Sequence, residues 1–462
     1  MKPKYFLALG LLVLGLGSCG ESFFEQYPSN NITEGNFYKT DDDFNQGVVA
    51  CYAKLKTQMS FHLTEIGYRG DENVLESMAV STQNRYDIDH FAETANNGIL
   101  NDIWNAWYNG IYRCNDVLDH MTGAKIANYD KYRGECLFMR SWWYFNLYRV
   151  FGVVPITRTV VTPAAAKLIP RCTEEEMYTL LTEDLAEAAR LLPPTPGPEK
   201  ARVANIAAYT LLAKVYLTFG KPAEAKTALE EAMKNTSYGL ESTTKKVFDV
   251  GNKMNREIIF ALYYNKTNDN GHGYWYSANT DVLADINNPT PTFKAIYDSE
   301  KDNRLPLISS YTKIKDNLFA MTKWYDTYDA TYTTQVGNDF PHLRYADVVL
   351  MYAEALAESG GSLGDALEWL NKTRTRAGLD ELTTDEVKSL AEFRRELAAE
   401  RGREFALEGH RWFDLVRLGL AVDYFREMGY SLDSHNLIFP IPQNQIEIVN
   451  NPSILWQNPG FN

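Results

Sequence analysis

The chain has 462 residues, of which 45% are hydrophobic and 23% are charged, a composition ordinary for a globular protein. Its 60 acidic and 46 basic residues give a formal net charge of -14. That balance argues against a nucleic-acid partner and against electrostatic docking on anionic lipid. After Cys19, no apolar run approaches the roughly 18 residues that a membrane-spanning helix needs.

The first residues are typical of an export signal. Lys2 and Lys4 form a short positive head, residues 5–16 are almost wholly apolar, and small residues lead into Cys19. This pattern resembles a bacterial lipoprotein signal, which predicts a signal peptide over 1–18, acylation of Cys19 and a lipid-anchored tether over 19–35. The alternative is an ordinary signal peptide with an accidental cysteine.

Apolar residues at helical spacing predict most of the remaining elements. The predicted helices are Asp42 to Gln58, Leu100 to Met121, Tyr129 to Arg149, Thr173 to Leu192, Ala201 to Phe219 and Ala223 to Lys234. From about residue 237 to 343 the chain is instead rich in Tyr, Asn, Asp, Thr and Gly, with short strand-like runs such as Glu257 to Tyr264. Helical periodicity returns at Arg344 and continues to about Met428.

An internal repeat relates two of the helical pairs. Residues 212–229 align with 353–370 at a constant offset of 141, and the first copy has the spacing of a tetratricopeptide helix-turn-helix. Gly220 is expected to end the first helix in a left-handed conformation. Two such units cannot bury their faces alone, so the pairs 42–58 with 100–121 and 129–149 with 173–192 are predicted to belong to the same stack.

These patterns predict a mainly α fold: a tetratricopeptide-like helical superhelix with an inserted loop-rich, irregular lobe that carries short strands. The lobe interrupts the stack between its third and fourth hairpins. The expected organisation is an N-terminal helical region over 36–236, the inserted lobe over 237–343, and a C-terminal region over 344–462. The two helical regions are expected to form one compact unit.

The sequence contains two patterns that could suggest catalysis or metal binding, and we interpret both as structural. Residues 360–364 match a GxSxG nucleophile elbow, but a helix precedes them where that motif needs a strand, which favours an inter-helix turn. Glu400, Glu404 and Glu408 share one helix face, yet no His completes a metal motif and neighbouring arginines favour an ion-pair network. We therefore predict no catalytic residue, no metal site and no cofactor.

Two further groups of residues leave alternatives open. Cys51, Cys114, Cys136 and Cys172 show no disulfide framework, and Cys114 and Cys136 are expected to be small buried residues. Paired carboxylates for glycoside hydrolysis can come from anywhere in a chain. The loose candidates are Asp71, Glu72, Asp87 and Asp89.

Aromatic residues in the polar loops of the lobe are the strongest indication of a ligand. Tyr274-Trp275-Tyr276 follows a Gly-His-Gly run, and Trp324, Tyr325, Tyr328 and Tyr332 lie in a polar stretch. A flat ring covers the face of a pyranose, while neighbouring amides and acids bond its hydroxyls. The alternative is that these rings pack the lobe itself. Trp104, Trp107, Tyr108, Trp142, Trp143 and Tyr144 lie on amphipathic helices and are expected in the core.

Several blocks together resemble the SusD/RagB family of surface nutrient-binding lipoproteins, and the likeness covers nearly the whole mature chain. The blocks are residues 134–140, Phe151-Gly152-Val153-Val154-Pro155, 343–355, 370–379, Glu400-Arg401-Gly402-Arg403-Glu404, 408–417, Phe439-Pro440-Ile441-Pro442 and 457–461. In combination the C-terminal blocks are highly specific. The family's export signal usually places an acidic cluster after the lipid cysteine, whereas this chain offers only Glu21.

The resemblance implies a non-enzymatic protein of the outer membrane, lipid-anchored and facing the cell exterior. Such proteins bind glycans, or in some cases peptides, and sit as a hinged cap over a SusC-like TonB-dependent transporter. The variable lobe carries the ligand site. We therefore expect exposed aromatic rings that stack on the ligand. We also expect polar contacts to the ligand from the early loop between the first two helices, where the family often places some of its ligand residues. The expected platforms are Trp275 and Trp324 with Tyr274, Tyr276 and Tyr332, and the expected polar contacts are Arg69, Asp71 and Asn84.

The leading hypothesis is thus a glycan-binding lipoprotein that delivers its ligand to the transporter. Three alternatives stay open at this point: the same architecture binding oligopeptides, a lipid-anchored glycoside hydrolase, and a scaffold that only docks proteins through its repeat.

The predicted anchor is tested by Cys19→Ala. Because acylation needs the cysteine thiol, the variant should be released from the membrane fraction or accumulate as an unprocessed precursor. Fractionation followed by immunoblotting measures both outcomes. Normal membrane retention of a processed variant would contradict the anchor.

Overall fold

The computed structural model describes residues 37–72, 83–197, 199–265, 277–279, 289–315, 318–326 and 337–461. Cys19, the predicted signal peptide and the tether lie outside these residues. Within the described ranges, none of the helices has the length and apolar character needed to cross a membrane.

The N-terminal half of the described chain is helical. Two of its long helices begin with capping boxes, at Thr40 and Thr173, whose side chains accept from a backbone N–H three residues on. The helices are α1 (Asp41–Gly67), α2 (Gln83–Asp89), α3 (Gly98–His120), α4 (Tyr129–Phe151), α5 (Pro163–Ala166), α6 (Glu174–Leu191), α7 (Asn205–Thr218) and α8 (Pro222–Met233).

The C-terminal part adds a further hairpin and shorter helices. These are α12 (Tyr345–Glu358), α13 (Leu363–Arg376), α14 (Leu390–Glu404), α15 (Arg411–Arg417), α16 (Ala421–Glu427) and α17 (Gln443–Val449). The intervening segment contributes the short helices α9 (Thr244–Val247), α10 (Pro291–Lys294) and α11 (Leu305–Ser309).

Helical hairpins stack in chain order. The pairs are α1 with α3, α4 with α6, α7 with α8, and α12 with α13. Each pair also contacts the next, through α3 and α4, α6 and α7, and α8 and α12. The predicted superhelix with an interruption between its third and fourth hairpins is therefore confirmed.

Glycines set the turn inside two of the hairpins. Gly220 ends α7 at φ +66 and Gly360 follows α12 at φ +80, a left-handed conformation in which a Cβ is costly. Ser362 then caps α13, and its hydroxyl accepts from the Gly364 N–H at 3.1 Å. The GxSxG match is thus an inter-helix turn, as predicted.

Between α8 and α12, the described part of the chain forms five strands: β1 (Ile258–Leu262), β2 (Ser277–Asn279), β3 (Tyr311–Lys315), β4 (Leu318–Met321) and β5 (Phe340–Arg344). β1 and β5 pair antiparallel, all their residues are buried, and both strands contact α7. β4 pairs antiparallel with β2 on one side and β3 on the other. The chain therefore leaves the helical stack along β1 and returns to it along β5.

Aromatic rings fill the interface between α3 and α4. Trp107 and Trp143 are fully buried, and Trp142 packs edge-on against Phe260 of β1 at 5.8 Å. The expected core placement of the helical tryptophans is confirmed. All four cysteines of the described ranges are free and buried, which confirms the prediction for Cys114 and Cys136.

Gly110→Ala should destabilise the protein. A Cβ at Gly110 would lie 2.2 Å from an atom of the buried Trp143 ring, so α3 and α4 would have to separate. Overpacking of this kind costs about 1–3 kcal/mol of unfolding free energy, more than the helix propensity that alanine adds. Chemical denaturation measures it.

Asn109→Ala is the matched control, because Asn109 is the preceding residue and lies on the exposed face of α3. Its effect should stay within about 0.5 kcal/mol. Equal stability of the two variants would show that the α3–α4 contact tolerates a Cβ.

Candidate ligand-binding site

Trp324 lies inside the protein. It ends a 3-10 turn (Thr322–Trp324) after β4, and only 1% of its surface is exposed. Its ring packs edge-on against Phe248 at 5.1 Å and lies 6.3 Å from Phe340 of β5. The prediction of an exposed Trp324 platform is wrong, because β5 and the loop after α9 pack around the ring and make it part of the main hydrophobic core.

Arg69 is equally buried, with no exposed surface. Its guanidinium pairs with Glu93, donates to the Asn436 carbonyl at 2.5 Å and lies 3.7 Å from the centre of the Phe439 ring. It joins the early loop to the C-terminal tail, so the expected ligand contact from Arg69 is wrong.

Asp71 also faces inward, with 3% of its surface exposed. Its carboxylate accepts from Arg411 Nε at 2.9 Å and from the Tyr424 hydroxyl. The expected ligand contact from Asp71 is therefore wrong, since both its oxygens are occupied by C-terminal helices. The adjacent Glu72 is buried as well, and burial, with the nearby Asp71 charge, raises the pKa of Glu72 to about 8.

Asn84 is exposed at the start of α2. Its side-chain oxygen accepts from the Gly98 N–H at 3.4 Å, and its carbonyl accepts from Asn97 Nδ2 at 2.9 Å. The amide lies beside the N-terminus of α3 and faces solvent, so a polar contact to ligand from Asn84 remains a prediction.

Tyr274, Trp275, Tyr276 and Tyr332 lie outside the described residues. The structure describes the residues that follow Tyr276 in the chain. Ser277, directly after Tyr276, opens β2 and pairs with Ala320 of β4. β4 runs on into the buried Trp324, so the strand that follows the aromatic triplet joins a sheet fixed to the core.

Lys323 fixes the end of that sheet. Its Nζ donates to the Ala406 carbonyl at 2.5 Å and to Glu408 Oε1 at 2.7 Å, and it lies 4.3 Å from the centre of the Phe248 ring. Residues 322–324 are therefore held to the turn after α14 by an ion pair as well as by apolar contacts. The role of Lys323 is not predicted from the sequence, in which its only signal is its position beside Trp324.

A buried ionic network lies below the inserted segment. Arg344 pairs with Glu257 at 2.8 Å, with Glu408 at 2.8 Å and with Glu404 at 2.6 Å. Arg304 and Arg376 contribute further pairs, to Asp302, Glu400 and Glu404 and to Glu257 and Glu404 respectively. Burial alone would raise the pKa of Glu404, but these guanidinium groups hold it well below its usual range.

The expected structural role of Glu400, Glu404 and Glu408 is thus confirmed, but the expected source of their cations is only partly right. Arg403 does pair with Glu400 three residues away at 3.1 Å. The other partners come from distant segments, which helical spacing could not indicate; they are Arg304, Lys323, Arg344 and Arg376.

Within the described ranges, no group of histidine, cysteine and carboxylate side chains could hold a metal ion. The loose hydrolase candidates are also placed. Asp71 and Glu72 point inward, Asp89 is buried, and Asp87 accepts from Gln83 Nε2 at 2.6 Å. Neither carboxylate of the Asp71–Glu72 pair is presented to solvent.

Two family models match this chain. The model described as "SusD family" matches residues 302–461, and the model described as "Starch-binding associating with outer membrane" matches 27–217. The chain is similar to "SusD-like protein P2" of Formosa agariphila, with 25% identity over 99% of this chain and 100% of the relative.

Solved structures share the fold. A SusD superfamily protein from Bacteroides vulgatus superimposes with a TM-score of 0.77 at 24% identity, covering 92% of this chain and 100% of the other. A "Laminarin binding SusD-like protein" gives a TM-score of 0.74 at 23% identity, with the same coverage.

Glu404→Gln and Arg411→Met should each lower the free energy of unfolding by about 3–5 kcal/mol, because each leaves a buried partner charge uncompensated. Ligand affinity of the folded protein should not change. Denaturant titration and calorimetry measure the two quantities. Native stability combined with lost binding would move these residues into the ligand site.

Glu183→Gln is the control for that pair of variants. Glu183 pairs with Arg158 at 2.8 Å, but both side chains are exposed, so its loss should cost less than about 1 kcal/mol.

Proposed function

Because the chain belongs to the SusD/RagB family, we propose that it is an outer-membrane lipoprotein on the cell surface that binds a glycan. It delivers the glycan to a SusC-like TonB-dependent transporter for uptake. Cys19 carries the lipid, and the folded body acts as a hinged cap over the transporter. Closure of the cap traps the ligand between the two proteins.

One observation carries the proposal: the position of the aromatic triplet. The stretch 218–301 lies between the two ranges that the family models match, and it contains Tyr274-Trp275-Tyr276. The triplet leads into β2, whose partner β4 is fixed to the core through Lys323 and Trp324. Attachment to a sheet that is fixed to the core suits a stacking surface, because a rigid surface loses less entropy when a ligand binds.

The glycan class follows from chemistry and from the relatives. Rings beside Gly, Asn and Asp offer apolar faces for pyranose stacking and polar groups for hydroxyls. A laminarin-binding protein shares the fold, and one matching family model is described as starch-binding. We therefore propose an oligosaccharide or polysaccharide as the ligand, bound by Trp275, Tyr274, Tyr276 and Tyr332 with Asn84 at the edge.

The test is Trp275→Ala, titrated calorimetrically with a panel of laminarin, starch and other oligosaccharides and with oligopeptides. Loss of one stacking ring should weaken glycan binding by about 1–3 kcal/mol, roughly ten- to hundredfold, with unchanged thermal stability. Trp324→Ala should instead lower the free energy of unfolding, by about 3–5 kcal/mol, because it removes a buried ring.

Trp456→Ala is the matched control, since Trp456 is 42% exposed but lies on the C-terminal tail. It should bind like the parent. Parental affinity in Trp275→Ala would show that the ring is a bystander. Binding of peptides alone would keep the architecture and overturn the glycan ligand, and glycan cleavage during titration would indicate a hydrolase.

A further inference from the structure

A cavity of about 380 Å³ lies where the C-terminal helices meet the helical stack. The end of α4, the start of α6, the end of α7, helix α15 and residues 437–438 form its walls. None of the described residues of 237–343 lines it, and neither does Asn84. Its polar and aromatic wall includes Arg149, Lys214, His410, Phe413, Asp414 and Arg417.

The charges of the ionic side chains that line this cavity, taken together with those of their ion-pair partners, do not sum to zero. Asp347 pairs with Lys214 and with Arg401 at 2.8 Å, and Asp414 pairs with Arg401 at 2.8 Å and Arg417 at 3.1 Å. Arg417 also pairs with Glu354. The cations are thus Arg149, Lys214, Arg401 and Arg417, and the carboxylates are Asp347, Asp414 and Glu354. One positive charge is in surplus.

The remaining groups do not remove that surplus. Burial lowers the pKa of His410 well below its ordinary value, so this ring is neutral. Glu174 lines the rim, but its side chain is exposed and accepts from the Tyr148 hydroxyl at 2.9 Å. Its charge is largely screened by solvent.

Arg149 carries the surplus charge. Its guanidinium lies 3.9 Å from the centre of the Phe413 ring and 4.7 Å from that of Phe145, and one nitrogen donates to the Asn146 side chain. Among the described residues it forms no ion pair with a carboxylate, and its buried Nε has no hydrogen-bond partner. Burial lowers the pKa of Arg149 to about 9, and the more distant charges of Asp414 and Asp347 oppose this only in part.

We propose that this cavity binds a small oxyanion, a carboxylate or a phosphate, on the guanidinium of Arg149. A planar guanidinium offers two parallel N–H donors to such a group, and a partly buried cation without a counter-charge is costly. The Phe413 ring holds the guanidinium plane from one face. The cavity has room for an anion the size of a sugar acid.

The experiment uses the whole mature protein with sodium phosphate, acetate and glucuronate as probes and sodium chloride at matched ionic strength as the reference. Each oxyanion that binds should raise the thermal midpoint above the chloride reference. Calorimetric titration should show binding that weakens about tenfold or more in Arg149→Gln, because a charge-assisted pair is lost. Arg149→Lys keeps the charge without the fork and should weaken it less.

Arg158→Gln is the control, since Arg158 is exposed and pairs with Glu183. It should bind the probes like the parent. Tighter binding of glucuronate than of phosphate would identify a carboxylate ligand, and the reverse order would identify phosphate. No effect beyond chloride in the parent, or equal binding by the parent and both Arg149 variants, would overturn the proposal. The glycan titration uses other residues, so the two proposals can fail separately.

Discussion

The guanidinium of Arg344 lies where the inserted segment meets the helical stack, and the surrounding architecture depends on its contacts. Arg344 ends β5 and precedes α12, while its partners are the residue before β1, the last residue of α14 and a residue of the turn after α14. Burying these charges is costly unless all are paired, so the network favours the arrangement of segments in which each charge has a partner. The two ends of the inserted segment, at β1 and β5, are thereby held in register and orientation.

The inserted segment has two parts with different roles. Its base, with Lys323, Trp324 and Phe340, is packed and ion-paired like the core of the helical stack. The strand β2 is at the edge of its sheet and directly follows the aromatic triplet in the sequence. Loops on a rigid scaffold can vary without loss of fold, which suits a family of binding proteins with different ligands.

At the cavity beside α15, by contrast, the pairing of charges is incomplete. There the ion pairs of Asp347 and Asp414 are satisfied, but Arg149 faces open volume with aromatic rings around it. The arginines of the buried network are paired with carboxylates, whereas the partly buried Arg149 has no carboxylate partner among the described residues. This guanidinium is the basis of the proposed anion site, whose walls contain none of the described residues of the inserted segment.

The sequence by itself determined the helical repeat, because periodicity, glycine turns such as Gly220 and helix caps such as Thr173 are local properties. It also indicated that Glu400, Glu404 and Glu408 are structural. Only the tertiary structure decided which residues are buried in irregular segments. Trp324, Arg69 and Asp71 have polar or loop neighbours in the chain, but their burial comes from residues far away in sequence. No local pattern records such contacts, since long-range packing fixes them.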